Sequence, residues 1–107
     1  MRALSITVAA SLAVGGCAAV SVAPPITPAL IAASGGKPAV TLAMGREIFA
    51  GRCTACHSAD PVGKYSIAKW REIVGDMAHR AKLDATQQAA LLAYLAAAHD
   101  TTRSTGN

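Results

Sequence analysis

The sequence predicts a small all-α protein of about three helices, and three observations predict it. Apolar residues recur at a 3.6-residue spacing between residues 66 and 82 and again between 84 and 99. Each of those runs opens on a helix-capping pattern, Ser66 in the first and Asp84 with Gln87 three residues later in the second. Strand-like alternation is absent around the paired cysteines Cys53 and Cys56, so nothing there suggests a βαβ unit.

The chain has 107 residues, 52% of them apolar, and part of that apolar content belongs to a leader rather than to the fold. Met1-Arg2 gives a short positive start and residues 3–14 an apolar run of signal-peptide length, too short to span a bilayer. Val14-Gly15-Gly16-Cys17 follows and resembles the lipobox of bacterial lipoproteins. That resemblance implies a signal peptide over residues 1–16 and a mature chain whose first residue, Cys17, is a lipid anchor; the alternative is an ordinary secretory signal cut nearby. Either way the chain is expected to leave the cytoplasm. Residues 17–40 are rich in Pro, Ala and Gly, with Lys37 the only charge, and read as a tether with too many helix breakers to pack as an element. Within it, residues 28–33 are apolar enough to touch the domain or the lipid.

The domain is expected over residues 41–100. Thr41 is a candidate N-cap for a first helix over residues 42–51, with Met44, Ile48 and the neighbouring Phe49 on one side. Gly45 lies inside that helix, where glycine costs about 1 kcal/mol relative to alanine and therefore implies a packing reason. The helix leads into Cys53-Thr54-Ala55-Cys56-His57, two thiols three residues apart followed at once by an imidazole, which is the spacing of a c-type haem attachment site. Each thiol can form a thioether with one haem vinyl group, and His57 can ligate the iron from the proximal side. A dithiol redox pair and half a zinc site share part of this spacing. The first wants a βαβ scaffold and the second another ligand pair, whereas His79 and His99 stand alone. With Cys17 taking lipid and Cys53 and Cys56 taking haem, none of the three cysteines is left for a disulfide. A covalently held haem would also supply much of the core that so short a chain lacks.

Residues 58–64 read as a loop, with Asp60-Pro61 and Gly63 as turn residues. The second helix is expected from Ser66 to about Lys82, with Trp70, Ile73, Val74, Met77 and Ala81 on one face and His79 on the other. The third is expected from Asp84 to about His99, with Gln87, Leu91, Tyr94, Leu95 and Ala98 as its inner stripe. The tail, residues 101–107, is polar and aperiodic and is expected to fray.

The stretch Gly45-Arg46-Glu47-Ile48-Phe49-Ala50-Gly51-Arg52-Cys53-Thr54-Ala55-Cys56-His57 resembles the opening of a class I cytochrome c, and Leu91-Leu92-Ala93-Tyr94-Leu95 resembles the leucine and tyrosine face of that family's C-terminal helix. The resemblance covers residues 45–98. It implies a cytochrome c-like fold around one haem, with Gly45 letting the N-terminal helix cross the C-terminal helix closely. The chain departs from the family in lacking a methionine on a loop far beyond the haem motif. Met77 is the only methionine after His57, and Trp70 to Met77 resembles compact bacterial cytochromes in which a tryptophan and a methionine share a distal helix.

The sixth iron ligand is thus expected to be Met77, with His79, His99 and Met44 as the other candidates and core filling as the alternative role for Met77. His79 reads as a surface residue and His99 as a cation near a helix C-terminus. Trp70 and Tyr65 are expected to line the haem, with the indole N–H or the phenol free to reach a propionate, or else to pack as ordinary core. Arg71, Lys64 and Lys69 suggest either a docking patch for an acidic partner or simply a solvated helix face.

These readings imply a monohaem c-type cytochrome, a lipid-tethered one-electron carrier on the periplasmic side of a bacterial membrane. No catalytic residues of its own are expected, and its partners are expected to be periplasmic redox proteins. The alternatives are the cytochrome subunit of a larger periplasmic oxidoreductase and a haem-based small-ligand binder or sensor with an open sixth position. Net charge falls from +4 to +3 without Arg2, and two ionised propionates would lower it to about +1, so the basic balance does not indicate nucleic acid.

Overall fold

The helix that the others gather on is the last. The computed structural model describes residues 22–54 and 60–105. Among them are four α-helices and no strand: α1 (Pro28–Ala33), α2 (Ala39–Ala50), α3 (Ile67–Arg80) and α4 (Ala85–Thr105). Two 3₁₀ turns, Arg52–Thr54 and Val62–Lys64, lie between α2 and α3. The protein is a small all-α fold, as its periodicity predicts. Helices α1, α2 and α3 and the second 3₁₀ turn all pack on α4. That role follows from composition: Ala90, Leu91, Tyr94, Leu95, Ala97 and Ala98 are all buried, more than one stripe of the helix, and small side chains let neighbours approach on several sides. No helix among the described residues is long and apolar enough to cross a membrane.

Helix α2 crosses α4 at Gly45. A Cβ placed there would fall on the Ala90 carbonyl oxygen and 2.7 Å from Tyr94 Cβ, so only glycine allows the approach. The buried side of α2 is Leu42, Gly45, Ile48 and Phe49; Met44, expected on that side, is exposed. The helix also begins three residues earlier than Thr41 suggests. Pro38, in the extended φ/ψ that precedes a helix, is the N-cap, and its carbonyl accepts from the Thr41 and Leu42 amides at 3.0 and 3.2 Å.

The caps of α3 and α4 are as the sequence predicts. Ser66 Oγ accepts from the Lys69 amide at 3.1 Å. Asp84 and Gln87 form a reciprocal capping box, the Gln87 amide donating to Asp84 Oδ1 at 2.7 Å and the Asp84 amide to Gln87 Oε1 at 3.0 Å. Helix α3 ends in a Schellman turn: the Leu83 amide reaches the Ala78 carbonyl at 2.9 Å and the Lys82 amide the His79 carbonyl at 3.3 Å. Lys82 sits there at φ +54°, where glycine is the usual occupant.

Three expectations are corrected. Residues 28–33, within the stretch expected not to pack as an element, form α1; their apolar character does bring them onto the domain, and Leu30 is buried in the core. The helix breakers stand at its ends: Thr27 caps the Leu30 amide at 3.1 Å, Pro28 occupies the first turn where its missing N–H is harmless, and Gly35 and Gly36 at φ +73° and +82° follow its end. The tail does not fray at residue 101, because α4 continues to Thr105. There the Thr101 and Thr102 hydroxyls donate back to the Ala98 carbonyl at 3.0 and 2.8 Å. Because α4 is longer than expected, His99 is not at a helix end; it is buried, and its Nδ1 has no hydrogen-bond partner among the described residues.

Candidate functional site

Helix α3 offers Trp70, Ile73, Val74 and Met77 at i, i+3, i+4 and i+7, the spacing that gathers side chains on one face. Opposite them α4 offers Leu91 and Leu95, and α2 offers Phe49. Between these helices lies a cavity of about 230 Å³. Cys53, from the first 3₁₀ turn, and Tyr65, Leu83 and Asp60 complete its described lining.

The wall is held by aromatic packing. The Trp70 ring meets Phe49 edge-on at 5.7 Å between centroids and Tyr65 edge-on at 5.3 Å. The Trp70 indole N–H donates to the Val62 carbonyl at 2.7 Å, and the Tyr65 hydroxyl donates to Asp60 Oδ2 at 3.1 Å. Both polar tips are therefore engaged within the protein, where the sequence had suggested that one would be free. The Asp60 carboxylate also holds Lys64 Nζ at 2.7 Å. The surface cations expected near this side divide likewise: Lys64 pairs with Asp60 and Lys69 with Glu72 at 2.9 Å, all on exposed side chains, while Arg71 is exposed.

Four of the predicted site residues, Cys53, Met77, Trp70 and Tyr65, line this one cavity. Cys56 and His57, and the expected anchor Cys17, lie outside the described residues. Of the other ligand candidates, His79 is exposed on α3, Met44 is exposed on α2, and His99 is buried within α4; none is among the described lining residues. Sequence reasoning missed Asp60 and Leu83 as lining. Asp60 stood out only as a turn residue, and Leu83 follows the Schellman turn, which carries no glycine to mark it.

Chemically the lining is apolar except for the engaged Asp60–Tyr65 pair and two sulfur donors, the Cys53 thiol and the Met77 thioether. Burial pushes the Cys53 thiol above its ordinary range. Soft sulfur donors in an apolar wall suit an iron-bearing macrocycle, with the thiol available for a thioether and the thioether available to the metal. The volume is below the roughly 300–1,000 Å³ of a typical ligand pocket, and residues 55–59, with two of the three expected attachment residues, are outside the described set. No group of three or more His, Cys, Asp or Glu side chains stands together among the described residues. No protein-family model, curated protein or solved structure matches the chain.

Proposed function

We propose that this chain is a monohaem c-type cytochrome, anchored by lipid at Cys17, that passes single electrons between periplasmic redox proteins. One observation supports the reading above the others. Cys53 and Met77, 24 positions apart in the sequence, line the same apolar cavity. Met77 is thereby distinguished from His79, which is two residues away but faces solvent.

In this reading Cys53 and Cys56 would hold the haem through thioethers, and His57 and Met77 would ligate its iron. Haem supplies reversible one-electron chemistry at its iron, and methionine ligation raises the potential. The rest of the chain fixes and shields. Phe49, Leu91 and Leu95 give the cavity an apolar wall, and Trp70, locked to the Val62 carbonyl, holds α3 in place relative to the second 3₁₀ turn. A wall whose polar groups already have partners has little to rearrange when the charge of the site changes. No residue is assigned a catalytic role.

The test is covalent attachment. Purified protein is run under denaturing conditions and stained for haem. Wild type is expected to stain, Cys53→Ala and Cys56→Ala to retain at most one link each, and the double variant to lose the stain. A double variant that stains like wild type would end this reading.

A further inference from the structure

The segment that leads into the domain is bonded to it. The Tyr94 hydroxyl of α4 donates to the Pro24 carbonyl at 2.7 Å. The Arg46 side chain of α2 donates to the same carbonyl through Nε at 3.1 Å and to the Ala23 carbonyl through Nη2 at 3.1 Å. Two helices that meet at Gly45 thus hold two successive carbonyls of the chain. Six residues further on, Leu30 is 1% exposed, packed into the core where α1 meets α4. An unpacked linker would have neither a buried leucine nor backbone carbonyls held by a buried tyrosine and an arginine.

We propose that residues 22–36 are a docked strap, so that lipid on Cys17 seats this edge of the domain directly against the bilayer surface. The proposal rests on the reading of Cys17 as a lipid anchor. Its geometric content is a change of reach. If the chain were free from Cys17 to Ala39, 22 residues of it could extend to roughly 75 Å; with Ala23 clamped only six remain, which reach at most about 20 Å. The domain is then confined to a thin layer above the headgroups and cannot turn freely. Partners in or on the same membrane meet it by lateral diffusion, and the membrane-bound class of redox protein is favoured over a soluble one.

The experiment uses the full acylated chain on supported bilayers of phosphatidylcholine with phosphatidylglycerol. Neutron reflectometry reads the height of the protein layer, and hydrogen exchange on matching vesicles reads the strap. Wild type is expected to begin at the headgroups with no intervening water layer. The amides of Ile31, Ser34, Gly35 and Gly36, which all donate to backbone carbonyls, are expected to exchange at least about a hundredfold more slowly than in an unstructured peptide. A twenty-residue Gly-Ser insertion after Ser21, which leaves the domain and strap untouched, is expected to open a water gap on the order of 25 Å. Arg46→Gln with Tyr94→Phe is expected to raise exchange across the strap while α3 stays protected. A wild-type layer already lifted as far as the insertion variant overturns the proposal, as does exchange of the strap amides at the free-peptide rate. Intact mass separates the premise: a mature chain without acyl groups overturns the proposal through the anchor, whatever the strap does.

Discussion

Replacing Gly45 by alanine adds one methyl group where α2 crosses α4, and the structure sets what must move. The new Cβ would lie 2.7 Å from Tyr94 Cβ and 2.8 Å from the Ala90 carbonyl carbon, and on the Ala90 carbonyl oxygen itself. Reaching the 3.4 Å at which ordinary contact begins requires the helices to separate by at least about 0.7 Å at Tyr94. Neither neighbour is the far end of a flexible side chain, so the separation must be borne by the backbones. Overpacking of this kind costs about 3 kcal/mol at the upper end of its usual range, and the better helix propensity of alanine returns about 1 kcal/mol. The net loss is about 2 kcal/mol, or roughly 8–16 °C in melting temperature for a domain of this size. Gly75, inside α3, is the internal control: a Cβ there meets nothing within 4 Å, so Gly75→Ala is expected to stabilise by up to about 1 kcal/mol. Thermal and urea unfolding followed by far-ultraviolet circular dichroism would measure both. If Gly45→Ala is as stable as wild type, or if both variants shift alike, the close crossing of α2 and α4 is wrong.

Other predictions concern single groups. Lys82→Gly is expected to raise stability by about 0.5–1 kcal/mol in the same unfolding assay, because lysine at φ +54° occupies a position that glycine adopts without strain; a loss of stability would refute that. Burial pushes the Tyr94 hydroxyl up to about 12, partly opposed by Arg46. Between about pH 10 and 12 the unfolded chain therefore releases this proton while the folded chain keeps it, so the contribution is full below pH 10 and is lost as pH rises toward 12, by at most about 2.7 kcal/mol. Urea midpoints at pH 9.5 and 11.5 are expected to fall further for wild type than for Tyr94→Phe, and equal falls would count against a buried, clamped Tyr94.

How much of this was legible in the sequence depends on how local each determinant is. The starts of α3 and α4 could be read because Ser66 acts on Lys69 and Asp84 on Gln87, pairs only three residues apart. The face carrying Trp70, Val74 and Met77 could be read from the helical period alone, and that face lines the cavity. Gly45 announced a close approach through its cost, although only the fold names Ala90 and Tyr94 as what it approaches. The composition of residues 17–40 conceals α1 because the position of Pro and Gly matters more than their number: Pro28 begins a helix and Gly35-Gly36 end it. The burial of Leu30 and the clamp on Pro24 join residues up to 70 positions apart, as between Pro24 and Tyr94, and no local pattern encodes them. His99 lies inside α4 rather than at its end because the helix runs on through Thr101 and Thr102, whose hydroxyls bond back into the helix instead of ending it.

The central claim is that Met77 completes an iron site begun at Cys53, Cys56 and His57, and the optical spectrum of the purified mature protein tests it most directly. Wild type is expected to show sharp α and β bands when reduced and a weak charge-transfer band toward the red when oxidised. Met77→Ala is expected to lose that band, become high-spin, bind carbon monoxide and drop in potential, since a methionine ligand raises it. His79→Ala, whose side chain is exposed on α3, is expected to leave the spectrum unchanged. A purified protein without haem absorption, or a Met77→Ala variant that keeps the low-spin spectrum of wild type, would contradict the account.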